Sequence, residues 1–324
     1  MTSLTPSFLD RVRATMKSED TEGRFELLVT RTPGYLWALF FKALHIHPIA
    51  VTLLSIVLGA ASAFLFVKTD FTSNLIAVAL LVTANWLDCA DGQLARMTGQ
   101  KTLIGRILDG FAGDVWFQFI YVAIALRLTP WFMELGGWPA VVAGWLFGAY
   151  AGYWCHVHQA NLADYYRNQH LYFLLGRQHS ELDRSRQLTE RYERLKWRSA
   201  DWFEKLYLFF YIRYTLRQEH MTPRCQQMLD LLQETYGDDI PDDIRQEFCR
   251  RSKPMMPACQ MLTFDLRIFV LYISALLNII WLYWLFEGTV LQIIFFRLRR
   301  QHEQLCSDLI QQIQATTSAA HDKP

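Results

Sequence analysis

Charge is scarce in this chain: Asp, Glu, Lys and Arg make up only 19% of its 324 residues, and the signs nearly cancel, 32 basic against 31 acidic. No basic field exists to hold a phosphodiester backbone, which excludes nucleic acid as a partner, and no acidic run forms a solvating tail. Cysteine is thin as well. Cys89, Cys155, Cys225, Cys249, Cys259 and Cys306 are scattered without C-x-x-C spacing, so a dense disulfide framework is excluded and they read as reduced core or lipid-facing residues. Internal repeats and low-complexity tracts are also missing. What is abundant is apolar and aromatic: 52% hydrophobic residues and 15% Phe, Trp and Tyr. A mean hydropathy of only +0.08 then requires the apolar residues to be concentrated in particular segments, which points away from a water-soluble fold.

Ile49–Val67 is nineteen residues without a charge, the length that crosses about 30 Å of hydrocarbon as a helix. Pro48 stands at its start, where a missing N–H costs nothing. The 47 residues before it carry six basic and five acidic side chains, so no cleavable signal peptide is expected, and within them Tyr35–Leu44 suits a helix lying in the interface. Further apolar runs cover Phe71–Leu87, Leu103–Leu126 and Trp138–Cys155, with connections short enough for antiparallel neighbours. Ile268–Phe286 reads as a fifth span and Gly288–Phe296 as a short sixth. Residues 157–265 hold 16 basic and 16 acidic residues, half of all the charge in a third of the length, and read as a soluble helical insertion. Within it Ser180–Trp197 is helical, Trp202–Tyr214 rests on the membrane surface, and Gly237–Asp243 turns.

The expected fold is an all-α polytopic membrane bundle of five or six transmembrane helices with a cytoplasmic helical insertion. Its parts are an N-terminal segment (1–47), a transmembrane catalytic core (48–156), the insertion (157–265), C-terminal transmembrane helices (266–297) and a tail (298–324). Six spans place the N-terminal segment, Arg96, Lys101 and Arg106, the insertion and the tail's Arg297, Arg299 and Arg300 together on the cytoplasmic side, leaving Lys68 and Arg127 outside. Ionisable groups inside spans are functional candidates, and they concentrate between Asn85 and Asp114. On an ideal helix Asp88, Asp91, Gly92, Ala95 and Arg96 fall within about 140° of arc. Two carboxylates, two small residues and a guanidinium on one stripe suit a hard-cation site beside a phosphate site. A turn at Met97–Ile104 then brings Gly105 and Asp109, one helical turn apart, back against it.

Asp88, Asp91, Gly92, Ala95, Arg96, Gly105 and Asp109, at these spacings, resemble the signature of the CDP-alcohol phosphotransferases. The resemblance runs from about Lys42 to Cys155 and includes HPIAVTLLS at the first span. It implies that Asp88, Asp91 and Asp109 hold a pair of divalent cations, Mg²⁺ or Mn²⁺, against the diphosphate of a CDP-alcohol. Gly92, Ala95, Arg96 and Gly105 are implied to line the nucleotide site. The implied reaction transfers a phosphatidyl or other phospho-alcohol group, with CDP-diacylglycerol the favoured donor, to an acceptor hydroxyl and releases CMP, as in phospholipid biosynthesis. A homodimer in the cytoplasmic membrane, its site facing the cytoplasm, is implied too. The family's last Asp, its presumed base, would fall at position 113, where this chain has Gly113 followed by Asp114. A five-residue step from Asp109 turns a side chain about 140° away, so Asp114 is expected to act as the base through a π-bulge between Gly110 and Asp114.

Other polar residues carry plainer expectations. Cys155, His156 and His158 read as a polar helix end near the interface. Ala163–Arg167 is weighed between acceptor contact and solvated surface, and Asp265 and Arg267 read as interfacial anchors. The competing functions are an intramembrane prenyltransferase, whose Asp motifs are spaced differently, a cation transporter or scaffold, and an inactive nucleotide- and cation-binding membrane protein.

Overall fold

Three of the apolar segments begin where a neighbouring group satisfies the first free N–H groups of a helix. His47 Nδ1 accepts from Ile49 N at 3.3 Å, Asp70 Oδ2 from Ser73 N at 2.8 Å, and Thr102 Oγ1 from Gly105 N at 3.0 Å. The computed structural model describes all residues except 1–6, 17, 19, 24–25, 101, 177–181, 198–200, 238 and 322–324, and all side chains except theirs and those at 103, 106, 107, 265 and 317–321. Lys101, the start of the expected Ser180–Trp197 helix, and the side chains of Arg106 and Asp265 therefore lie outside the described residues.

The chain is 86% helical. In chain order the helices are α1 (Phe8–Arg13), α2 (Thr32–Ala43), α3 (Pro48–Phe66), α4 (Phe71–Thr98), α5 (Leu103–Ala149), α6 (Val157–Leu175) and α7 (Ser185–Arg194). They continue with α8 (Trp202–Met221), α9 (Pro223–Tyr236), α10 (Asp242–Ser252), α11 (Met256–Leu262), α12 (Asp265–Leu276), α13 (Trp281–Gly288) and α14 (Val290–His321). Two compact units result, one of Met1–Val157 with Asp265–Val290, the other of His158–Phe264 with Leu291–Pro324. The insertion and the tail, far apart in sequence, thus belong to one unit.

Four stretches among the described residues are long and apolar enough to cross a membrane: Pro48–Phe66, Phe71–Thr98, Leu108–Leu175 and Asp242–Leu276. This is an all-α polytopic membrane protein. The third stretch, 68 residues, would be about 100 Å long if straight. It folds instead as a hairpin, because Trp145 Nε1 donates to Thr129 Oγ1 at 3.0 Å and a Cβ on Gly152 would stand 2.6 Å from the Tyr121 ring. The reversal falls at Gly136 and Gly137, and Gly137 adopts φ 65° and ψ −153°, a conformation essentially reserved for glycine. The two limbs correspond to the third and fourth expected spans.

The fifth span differs from expectation. An unbroken Ile268–Phe286 helix is replaced by α12 and α13, with a break at which Asn278 takes φ 58°. Asn tolerates that left-handed geometry, and the break is held by Arg127, which is buried at 7% exposure. Its guanidinium donates to Asn278 Oδ1 at 2.6 Å, Asn74 Oδ1 at 2.7 Å and the Phe66 carbonyl at 3.0 Å. Irregular backbone at such a place persists only where its polar groups are satisfied. Arg127→Ala strands three acceptors and is expected to cost about 2–4 kcal/mol. At about 2–4 °C per kcal/mol for a unit of this size, the thermal midpoint in detergent should fall by roughly 4–16 °C; an unchanged midpoint would refute the pinning role.

α2 packs Ala38 and Phe41 against Leu87, Ala90 and Leu94 of α4, while Leu36, Phe40 and Leu44 stay exposed on its other side, as an interfacial helix requires. In the second unit, Gly237 takes φ 62° between α9 and α10, within the expected turn. Lys205 of α8 donates to the Leu195 carbonyl at 2.7 Å and lies 4.4 Å from the Tyr192 ring centroid, which ties α7 to α8. All six cysteines are free thiols.

Candidate active site

Asp88 and Asp91 sit in the second half of α4, and Asp109 in the second turn of α5. The α4 residues around them, Leu87, Ala90 and Leu94, are anchored by α2 and by Val51 of α3. Gly99, at φ 70°, ends α4 in the left-handed geometry that glycine adopts without cost, and Thr102 caps α5 three residues later. One carboxylate oxygen from each of Asp88, Asp91 and Asp109 lies within 4.8 Å of the others. Asp91 is buried and Asp109 exposed, so the cluster opens at one side.

Buried oxygens Asp88 Oδ1 and Asp91 Oδ2 have no hydrogen-bond partner. Leaving such atoms desolvated and unpaired is costly, and three converging carboxylates repel one another. An all-oxygen donor set with orphaned buried oxygens fits a hard divalent cation such as Mg²⁺ or Mn²⁺.

Gly92, Ala95 and Arg96 are half-buried on the same stretch of α4. The Arg96 guanidinium crosses Gly92, 3.5 Å from where a Cβ would stand, and its buried Nε has no partner. Gly105 faces Thr102 and Ile49, with a Cβ position 3.0 Å from Thr102 Oγ1. Two further residues escape sequence reasoning. Thr52 of α3, 2% exposed, lies against the Asp91 carboxylate. Arg31 ends a π-helical turn, Leu27–Arg31, that is tied to α4 by Trp86 Nε1 donating to the Val29 carbonyl at 2.9 Å and Gln93 Nε2 to the Arg31 carbonyl at 3.1 Å. Its guanidinium pairs with Glu22 at 3.0 Å and Glu26 at 3.2 Å, and its charge acts on both Asp88 and Arg96. Only a π-turn, invisible in the residue pattern, brings it there.

The expected π-bulge is absent. α5 runs through Gly110–Asp114 as a regular α-helix, and among the described residues the π-helical turns fall at Leu27–Arg31 and Tyr150–His156. A bulge sacrifices hydrogen-bond geometry and needs a neighbour that forces it, whereas a Cβ at Gly110 or Gly113 would meet nothing within 4 Å. Asp114 is exposed and stands apart from the three-carboxylate cluster.

Two further expectations need correction. His156, 4% exposed, is no interfacial helix end: its Nδ1 lies 3.6 Å from Glu287 and 3.4 Å from the Tyr121 hydroxyl, which lies 3.1 Å from that of Tyr283. Arg267 is no interfacial anchor, because it is fully buried and pairs with fully buried Glu287 at 2.9 Å. Opposite charge within the same unit draws both inward. Of Ala163–Arg167, Ala163, Tyr165 and Tyr166 are buried in the second unit.

No curated protein and no solved structure matches the chain. Residues 45–161, the stretch holding Asp88, Asp91, Arg96, Asp109 and Asp114, match the family model of CDP-alcohol phosphatidyltransferase.

Proposed function

We propose that the protein transfers a phosphatidyl or related phospho-alcohol group from a CDP-alcohol, with CDP-diacylglycerol favoured, to an acceptor hydroxyl and releases CMP. The observation that carries this reading is the convergence of Asp88, Asp91 and Asp109 with two orphaned buried oxygens, inside the segment that matches the family model. Asp88, Asp91 and Asp109 would hold two divalent cations, Mg²⁺ or Mn²⁺, which when bound neutralise the diphosphate and stabilise the departing nucleotide. Arg96 and Arg31 supply guanidinium groups for the phosphate oxygens. Gly92, Ala95 and Gly105 let the nucleotide approach the backbone. The acceptor oxygen forms a bond to the phosphorus on the alcohol side, and the bond from that phosphorus to the CMP oxygen breaks.

Asp114 is our proposed proton acceptor, acting without a bulge. A base has to stay free of the cations, and Asp114 is exposed one and a half turns beyond Asp109, outside the cluster. Its phase on α5 requires the acceptor to enter along the flank of that helix. The working protein is a homodimer in the cytoplasmic membrane with its site toward the cytoplasm.

The test is CMP release by purified protein in lipid-containing detergent with CDP-diacylglycerol, Mg²⁺ or Mn²⁺ and pooled alcohols. Metal-dependent CMP is expected, falling by about 10²–10⁴-fold in Asp114→Asn. CMP undiminished in that variant moves the proton to another group. The displacement of Asp114 favours one other reading, a nucleotide- and cation-binding protein without turnover. It predicts metal-dependent CDP-alcohol binding and no CMP with any acceptor.

A further inference from the structure

Far from the carboxylate cluster in sequence, the second unit gathers a different donor set. Cys225 in the first turn of α9 and His302 and Cys306 on α14 are fully buried, and their ligand atoms lie within 4.8 Å of one another. His302 and Cys306 are four residues apart, so one face of α14 presents both. The Cys306 sulfur and His302 Nδ1 are 3.5 Å apart. Tetrahedral zinc with Zn–S of about 2.3 Å and Zn–N of about 2.0–2.1 Å places its S and N ligands about 3.6 Å apart.

The surroundings add an independent observation. Gln169 of α6, fully buried, directs its amide at Cys225, with Nε2 2.9 Å from the sulfur, and its Oε1 has no partner. The two ends of a Gln amide have nearly the same shape, so turning it would present that oxygen to the cluster. His302 Nε2 is likewise buried and unpartnered, and the ring stacks on Tyr166 at 3.7 Å and 7°. The helices are already locked in register. Arg299 Nε donates to the Met221 carbonyl at 2.7 Å, and Glu303 Oε2 accepts from Arg224 N at 2.9 Å. These two clips lie just before Cys225 and on either side of His302, and they hold the start of α9 against α14.

We propose that Cys225, His302 and Cys306 bind a structural zinc ion, with the Gln169 side-chain oxygen in the fourth position. Zinc replaces the two thiol protons, which leave to solvent as the sulfurs ligate, so the dication and two thiolates form a neutral centre that a buried site tolerates. The ion joins α6, α9 and α14 and so ties the insertion to the C-terminal helix. Its borderline-soft sulfur and nitrogen donors differ in kind from the all-oxygen set at Asp88, Asp91 and Asp109, and one chain can carry both ions without exchange.

Metal content by mass spectrometry, on full-length protein purified in detergent without chelator, tests this. About one zinc per chain is expected, at least tenfold less in Cys225→Ser and Cys306→Ser, and no change in Cys259→Ser, which removes a buried thiol outside the cluster, or in Asp91→Asn. Unaltered protein stripped and reloaded with Co²⁺ should show a thiolate-to-cobalt charge-transfer band, a readout that does not depend on the variants folding. Zinc below about a tenth per chain, with no such band after reloading, would overturn the site. So would full zinc retention in both serine variants.

Discussion

Asp91→Asn should lower CMP release by more than about 100-fold, since losing even an outer-shell partner of a metal site costs about 10–100-fold, and Asp91 is the buried member of the cluster itself. The same substitution should make the protein more stable in chelator. Without a cation, three carboxylates with oxygens within 4.8 Å of one another repel by about 3 kcal/mol per ionised pair at an effective dielectric constant near 20. An amide at position 91 removes two of those pairs. The thermal midpoint in EDTA is expected to rise by a few degrees. Added Mg²⁺, which stabilises the unaltered protein by mass action, should move the midpoint of the variant much less. Opposite signs for activity and stability mark a site whose repulsion is held in place for the cation it binds. Loss of stability and activity together would instead assign Asp91 a structural pairing role.

Membrane helices were legible wherever hydropathy and capping agreed. Ile49–Val67 is expected and Pro48–Phe66 is found; Phe71 begins the next helix as expected, with Asp70 as its cap. Hydropathy ends that second span at Leu87, yet α4 continues to Thr98, because the Asp and Arg side chains after Leu87 line a polar face while Leu87, Ala90 and Leu94 remain packed on α2. The carboxylate cluster was legible because its members sit within one helical hairpin at fixed spacings. What escaped depends on residues far apart in sequence. The burial of Arg127 depends on Asn278, 151 residues away, taking a left-handed turn beside it. Cys225 and Cys306 have no short spacing to announce them. The missing bulge has another origin: the insertion of one residue before Asp114 specified a change of helical phase, and nothing in the pattern said whether the backbone would undo it.

Glu287→Ala should be among the most destabilising single changes in the first unit. The Arg267–Glu287 pair is 2.9 Å apart with both side chains fully buried, so removing the carboxylate leaves a guanidinium desolvated without its counter-charge, at a cost of about 3–5 kcal/mol. A fall of more than about 5 °C in the thermal midpoint is expected. Arg267→Met together with Glu287→Leu should recover most of the loss, because an apolar pair of similar volume is often as stable as the buried ion pair it replaces. The Tyr121 hydroxyl keeps its contacts with Tyr283 and His156 in the double variant, while His156 loses the carboxylate 3.6 Å from its Nδ1. The coupling energy from the four proteins of this cycle separates charge from packing. A double variant as unstable as Glu287→Ala would mean that the cost comes from lost packing around α13 and not from the unpaired charge. A recovered fold carries a second consequence: CMP release retained in the double variant would make the pair architectural, whereas a stable but inactive protein would place these two charges among the groups that the acceptor meets.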